Sequence, residues 1–176
     1  MFSYFYRIST TRPAWISLAL SAIFLELCAL FFQHVMDLAP CVMCIYERVA
    51  LFGVVIAGLL GGIAPQNSSL RWIALLLWFG ATAKGLQLSL LHVSYQFPDP
   101  NVLFGPTCDL FVSFPSWAPL NEWIPSVFEA TGDCSKIVWQ FLTLTMPQWL
   151  VVIFAAMLLV NIVVIISQFF GKKASL

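Results

Sequence analysis

Four stretches of about 20 mostly apolar residues constrain this chain more than any other feature, because helices of that length match the ~30 Å hydrocarbon core of a bilayer. They run from Ala14 to Phe32, Cys41 to Ile63, Trp72 to Leu91 and Trp149 to Ile166. The 176 residues are 61% hydrophobic and 9% charged, against about 25% charged in ordinary soluble domains. That much apolar surface cannot be hidden in a soluble globule of this size. It is equally incompatible with a disordered chain. The formal net charge of zero gives no electrostatic footprint for nucleic acid, so none is expected as a partner. The expected fold is all-α, a four-transmembrane-helix bundle forming one membrane domain over residues 1–176. No secretory signal is expected, because no short apolar region ends in a small-residue cleavage site.

The connections differ in kind. Residues 33–40 and 64–69 are short. Residues 92–148 carry seven of the ten prolines (Pro98, Pro100, Pro106, Pro115, Pro119, Pro125 and Pro147). Proline fixes φ and lacks an N–H, so this connection cannot be one long helix. A long irregular loop on one side of the membrane is expected. Four spans put both termini and the 64–69 turn on one side. That side holds Arg7, Arg12, Arg71, Lys172 and Lys173. The other holds Lys136 against Asp37, Asp99, Asp109, Glu122, Glu129 and Asp133. The positive-inside rule then predicts cytoplasmic termini and an outward-facing loop. Trp15, Trp72 and Trp149, at span ends, read as interfacial anchors.

Of five cysteines, four fall on the outer side, where disulfides persist. Cys28 is mid-span and reads as a small core residue. Cys41-Val42-Met43-Cys44 is a C-x-x-C that follows Pro40 and opens span two. A helix N-terminus stabilises a thiolate through its unpaired N–H groups and dipole. Arg48, one turn after Cys44, shares its face and adds a cation. A cation inside a span is costly without a partner or a task. The second pair, Cys108 and Cys134, lies in the proline-rich loop, its members far apart in sequence. Four cysteines allow three pairings, which the sequence leaves open. Two plainer readings stand beside redox chemistry. A C-x-x-C can be half a zinc site, although zinc frameworks usually add a second knuckle or a close His pair. Both pairs can also be inert braces of a membrane scaffold, though a brace has no need of Arg48.

Beyond C-x-x-C, the segments Glu26-Leu27, Phe32-Gln33-His34-Val35-Met36, Pro40-Cys41-Val42-Met43-Cys44-Ile45-Tyr46-Glu47-Arg48, Thr107-Cys108-Asp109, Gly132-Asp133-Cys134 and Met146-Pro147-Gln148-Trp149 closely resemble the DsbB family of bacterial inner-membrane disulfide oxidoreductases. The resemblance covers nearly the whole chain; Cys28 departs from the family pattern. It implies a bacterial inner-membrane protein that reoxidises a periplasmic DsbA-type thiol oxidase and passes electrons to a membrane quinone, ubiquinone or menaquinone. It implies that Cys108 receives the partner's thiol, that Cys134 exchanges with Cys41, and that Cys44 becomes the thiolate meeting the quinone beside Arg48. No metal is expected. A quinone reductase of the vitamin K epoxide reductase type is a further reading, but its redox motif is expected near the outer end of a late helix.

Other groups carry two readings each. His92, at the outer end of span three, can reach the quinone ring or a proton path, or be an ordinary interfacial histidine. Gln33 and His34 share that ambiguity. Met146 can line the ring site or simply pack. The patch Trp117, Ala118, Pro119, Leu120, Trp123 and Ile124 is either a membrane-interface tether or a small loop core. Gly58 with Gly62, and Ala81 with Gly85, read as helix-packing steps. Counted from Ala14 and from Trp72, Glu26 and Lys84 lie equally far into their spans. Equal depth predicts that they pair and that spans one and three are neighbours.

Overall fold

The structure, a computed structural model, describes residues 2–98, 108–109 and 111–171. Asp99, Pro100, Pro106, Thr107, Lys172 and Lys173 lie outside the described residues. The chain begins with a short helix, α1 (Phe2–Ser9), and continues into α2 (Arg12–His34), α3 (Val42–Ile63) and α4 (Ser68–Gln96). The long connection after α4 holds two single-turn helices, α5 (Leu120–Trp123) and α6 (Pro125–Phe128), and a hairpin of β1 (Gln140–Phe141) and β2 (Leu144–Thr145). The last span is α7 (Met146–Phe170). The four long helices α2, α3, α4 and α7 are each long and apolar enough to cross a membrane. The chain is therefore a multi-pass membrane protein with a four-helix bundle, as expected. All of these but α3 extend beyond their apolar stretches. α4 gains residues at both ends, and Pro147 belongs to the first turn of α7, where its missing N–H is harmless.

Local chemistry sets the helix ends. The Asn67 side chain accepts from the N–H groups of Ser69 and Leu70 at 3.0 and 3.3 Å, starting α4. Gln148 reaches back to accept from the Thr145 N–H at 2.9 Å, starting α7. Within spans, hydroxyls close on carbonyls of their own helix; Thr82 Oγ1, for example, donates to Trp78 O at 2.8 Å. Such bonds spare these hydroxyls an unpaired place in hydrocarbon. The hairpin tip, Leu142 and Thr143, takes positive φ values of 49° and 67°, as a two-residue primed turn requires.

Packing follows chain order: α2 on α3, α3 on α4, α4 on α7, with α1 laid on α7. Short connections make consecutive antiparallel helices neighbours. Spans one and three do meet near the termini, where the rings of Trp15 on α2 and Trp78 on α4 lie edge to face at 6.3 Å, but Lys84 does not meet Glu26. Lys84 is exposed, and its Nζ donates to Gln87 Oε1 on its own helix at 3.1 Å.

The end carrying the termini is close-packed. A Cβ on Gly58 would sit 2.8 Å from the backbone nitrogen of Ala19. One on Gly61 would enter the Trp15 ring. Gly61, rather than Gly62, is the second close-approach glycine. Gly53 meets Ala81 across α3 and α4, and Gly85 meets Phe154. Trp15 is a core wedge rather than an interfacial anchor: it is 3% exposed, and its Nε1 donates to Ser9 O at 2.8 Å. Arg71 is also buried, donating to Pro65 O and Gln168 Oε1 and lying over the Tyr6 ring.

Candidate active site

At the opposite end, the 35–41 connection brings α3 back antiparallel to α2. Cys41 is the N-cap of α3, and its sulfur accepts from the Cys44 N–H at 3.3 Å. The cap fold places both cysteines on the first turn, with Sγ atoms 2.6 Å apart. Cys41 is buried and Cys44 half-buried.

The loop is docked on this turn. The N–H groups of Thr131 and Gly132 donate to Pro40 O at 3.0 and 2.9 Å. Gly132 is required here, because a Cβ would run into the Ala39 carbonyl. Cys134 follows closely. It is joined to Cys108 by a disulfide and packs in one buried cluster with Cys41 and Met43. The structure thus selects one of three pairings and sets the second pair against the first. Cys134 is 1% exposed, whereas Cys108 is only half-buried. Asp133, between Gly132 and Cys134, accepts from Ser135 N at 2.9 Å and Ser135 Oγ at 2.8 Å. These hydrogen bonds, the backbone one first, hold its carboxyl below the usual range. A second anchor is Tyr46, whose hydroxyl accepts from Ser113 N at 2.9 Å, while Phe114 and Phe128 form the loop's own core. Trp117 and Trp123 lie outside that core, 79% and 62% exposed.

Beside Cys44 is an apolar cavity of about 260 Å³ between α2, α3, the hairpin and α7. Cys44, Glu26, Glu47 and Arg48 line it, with Met146, Trp139 and Trp149 on the hairpin side. Met146 thus faces the cavity. Trp149 is a wall residue, its Nε1 donating to Phe141 O at 3.0 Å. Cys28, expected in the core, is half-buried on the same wall.

Arg48 is held from two sides. One amino group donates to Gln33 Oε1 at 2.9 Å and to the carbonyl of Val127. Gln33 in turn donates to Ser126 O at 3.0 Å, which ties the guanidinium to the loop. Arg48 Nε lies 3.5 Å from Glu26 Oε2, and both residues are 4% exposed. The true partner of Glu26 is therefore Arg48. Arg48 Nε and both Glu26 oxygens lack a hydrogen-bond partner, and all three atoms are buried. The cavity wall is mostly apolar, with Arg48, Gln33, Glu26 and Glu47 among its polar members.

His92 does not line the cavity. Its Nε2 lies 3.4 Å from Cys41 Sγ and its Nδ1 lies 3.1 Å from Glu47 Oε1. Glu47, which no spacing in the sequence singles out, is 1% exposed. An acid inside a span is itself a signal that could have found it. Cys41, Cys44 and His92 bring three ligand atoms within 4.8 Å of one another. A structural zinc site takes four, and no fourth joins them among the described residues. His34 is exposed and takes no part.

Comparison with known proteins agrees with this geometry. The family described as Disulfide bond formation protein DsbB matches residues 11–164. The chain is 61% identical over 166 residues to disulfide bond formation protein B of Photorhabdus laumondii, covering 94% of this chain and 95% of that protein. It is 57% identical over 161 residues to the protein of that name from Vibrio cholerae, covering 91% of each. With the one from Vibrio parahaemolyticus it shares 56% over 174 residues, 98% of this chain and 96% of the relative.

Proposed function

This chain belongs to the DsbB family of membrane proteins of disulfide bond formation, and from that premise we propose that it is a quinone-linked thiol oxidase for a periplasmic DsbA-type dithiol protein. The observation that carries the reading is the placement of Cys44 and Arg48 on one apolar cavity while Cys41 packs against the Cys108–Cys134 disulfide. One cysteine pair faces a site suited to a lipid-soluble ring, and the other faces the loop surface.

Each step is a thiolate attack on a disulfide sulfur. A partner thiolate attacks Cys108, the more exposed sulfur, and Cys134 leaves. Cys134 then attacks Cys41, and Cys44 leaves as a thiolate beside the cavity. Attack by the partner's second thiolate on the mixed disulfide at Cys108 releases the oxidised partner. The freed Cys108 thiolate then attacks Cys134, which rebuilds the loop disulfide and frees Cys41. The Cys41/Cys44 dithiol surrenders two electrons and two protons as its disulfide re-forms. A quinone, when bound, supplies the oxidising capacity for that step and leaves as quinol. Arg48, braced by Gln33, Val127 and Glu26, would hold an oxygen of the ring. Met146, Trp139 and Trp149 would exclude water. Either ubiquinone or menaquinone satisfies this chemistry. The cation excess near the termini supports an inner-membrane orientation with cytoplasmic termini and a periplasmic loop.

The test is anaerobic mixing of the purified protein with a reduced dithiol partner and each quinone in turn, following thiols and quinol together. One quinol for each disulfide made is expected, with visible absorbance where the Cys44 thiolate lies against the ring. Partner oxidation without quinol would reject the proposal.

A further inference from the structure

Oxidising the Cys41/Cys44 dithiol breaks two S–H bonds, forms one S–S bond and sends two electrons and two protons to the quinone. The two protons start from different places. Cys44 lines the cavity and has the acceptor beside it. Cys41 does not line it; the one nitrogen base bonded to its sulfur among the described residues is His92 Nε2, at 3.4 Å. His92 is also off the cavity and 3% exposed, so water is not at hand to take the proton. Its other nitrogen meets Glu47 at 3.1 and 3.3 Å, one distance to each carboxylate oxygen. Glu47 is the member of this chain of contacts that does line the cavity.

The geometry points to a buried proton relay running from Cys41 through His92 to Glu47 and out into the cavity. Resting on the thiol-oxidase reading, it gives that reaction its second proton path. As the S–S bond forms, the Cys41 proton passes to Nε2, the Nδ1 proton passes to the Glu47 carboxylate, and Glu47 delivers it to a quinol oxygen. The proton that the Cys44 thiol gives up in forming its thiolate beside the cavity supplies the other oxygen, so two protons and two electrons are accounted for. On reduction, Nε2–H protonates the released Cys41 thiolate, and Nδ1 recovers its proton through Glu47, which is reprotonated from the cavity by one of the two protons that the dithiol partner gives up. A carboxylate on one imidazole nitrogen makes the other the acceptor, which is the logic of thiol–imidazole–acid triads. Within the spans, Glu47 and Arg48 are adjacent yet divided in task. One serves α4 and the thiol, while the other serves α2 and the ring. Among the described residues, the other titratable groups packed on this cluster are Cys44 and Tyr46 on α3 and Tyr95 on α4. The loop contributes Cys108 and Cys134, joined as a disulfide. Arg48 is engaged by Glu26.

Glu47→Gln tests the relay, because glutamine can still accept the His92 N–H bond but cannot carry the proton onward. The dithiol form of the whole protein is mixed anaerobically with a soluble short-chain quinone across a pH series, and separately with diamide, which needs no proton delivered to the cavity. For Glu47→Gln the expected result is an oxidation rate lower by about 100-fold with quinone, in the range of acid–base catalysis. That rate should climb with pH where the wild-type rate is flat. Glu47→Asp should recover part of it, and diamide oxidation should be unchanged. If Glu47→Gln is not recovered from membranes, Glu47→Asp should show a smaller split of the same sign between quinone and diamide. A wild-type rate and pH profile in either variant overturns the relay. Equal slowing with quinone and diamide also overturns it, showing a packing role. Failure of the wild-type protein itself to reduce quinone would instead reject the thiol-oxidase reading.

Discussion

The two ends of the bundle are built on opposite principles. Near the termini, glycines let helix backbones touch, Trp15 and Trp78 wedge edge to face at 6.3 Å, and Ala22, Val54, Ala57, Ala74 and Leu75 fill the centre. The polar groups there, such as Arg71, close on neighbouring carbonyls and side chains. At the cysteine end the same helices hold a cavity, two buried acids, a buried guanidinium and a buried imidazole. Burying such groups destabilises a bundle unless each has a partner. The cysteine end therefore gives up packing to hold chemistry, and the end carrying the termini supplies the stability that makes this tolerable. The division has a test: changes at one end should alter stability, and changes at the other should alter chemistry first.

The largest effect is expected at the sulfur facing the cavity. Cys44→Ser should abolish quinone-dependent oxidation of a dithiol partner, down to background, while thermal unfolding in detergent moves little. An oxidation rate near wild type would erase the distinction between the ends. Arg48→Met comes next and belongs to both categories. Removing one partner of a buried pair costs about 3–5 kcal/mol, and quinone use should weaken through a higher apparent KM. Glu26→Gln with Arg48→Met should recover much of the stability but not the KM. Additive stability losses in that cycle would show that the 3.5 Å pair is not a working contact. Lysine at position 48 should restore charge but not the fork that reaches Gln33 and Val127 together.

At the end carrying the termini, Gly61→Leu forces a side chain into the Trp15 ring and should cost about 1–3 kcal/mol. The oxidation rate per folded molecule should stay at the wild-type level; a fall matching that of Arg48→Met would mean that the two ends are not separable. The smallest effect is at Asp133. Its carboxyl titrates below the usual range because the folded loop hydrogen-bonds the charged form. The contribution is therefore complete above the unfolded aspartate value of about 3.9 and is lost as pH falls through the lower, folded value. Reduction of the loop disulfide by a soluble phosphine should quicken slightly in that acid window in the wild-type protein, and Asp133→Asn should flatten the trend.

Much of the fold can be read from the chain because bilayer thickness sets span length, and the apolar runs show it directly. Cys41, Cys44 and Arg48 can be placed because one helical turn fixes their relation. Azimuth is harder. Each span is apolar nearly all round, so no stripe marks an inward face. Depth counted from the inner ends pairs Glu26 with Lys84, but α4 runs on to Gln96 and leaves Lys84 well short of its outer end. Counted from the outer ends instead, Glu26 before His34 and Arg48 after Cys41 each lie about two helical turns in. Their helices are joined by the shorter outer connection, so that count carries the correct pairing. Glu47 and His92 are hidden for a similar reason: they meet across α3 and α4, and no local spacing marks them. The hairpin lacks the usual Asn-Gly turn signal, since Leu142 and Thr143 form its tip.

The most direct test of the central claim isolates the inner cysteine pair from the loop. A Cys108→Ala, Cys134→Ala protein with Cys41 and Cys44 reduced is mixed anaerobically with ubiquinone or menaquinone, and thiols and quinol are counted in a single turnover. The account predicts one quinol formed for every two thiols lost, with no oxidation of a dithiol partner. Loss of the Cys41 and Cys44 thiols without quinol, or partner oxidation at the normal rate, would contradict it.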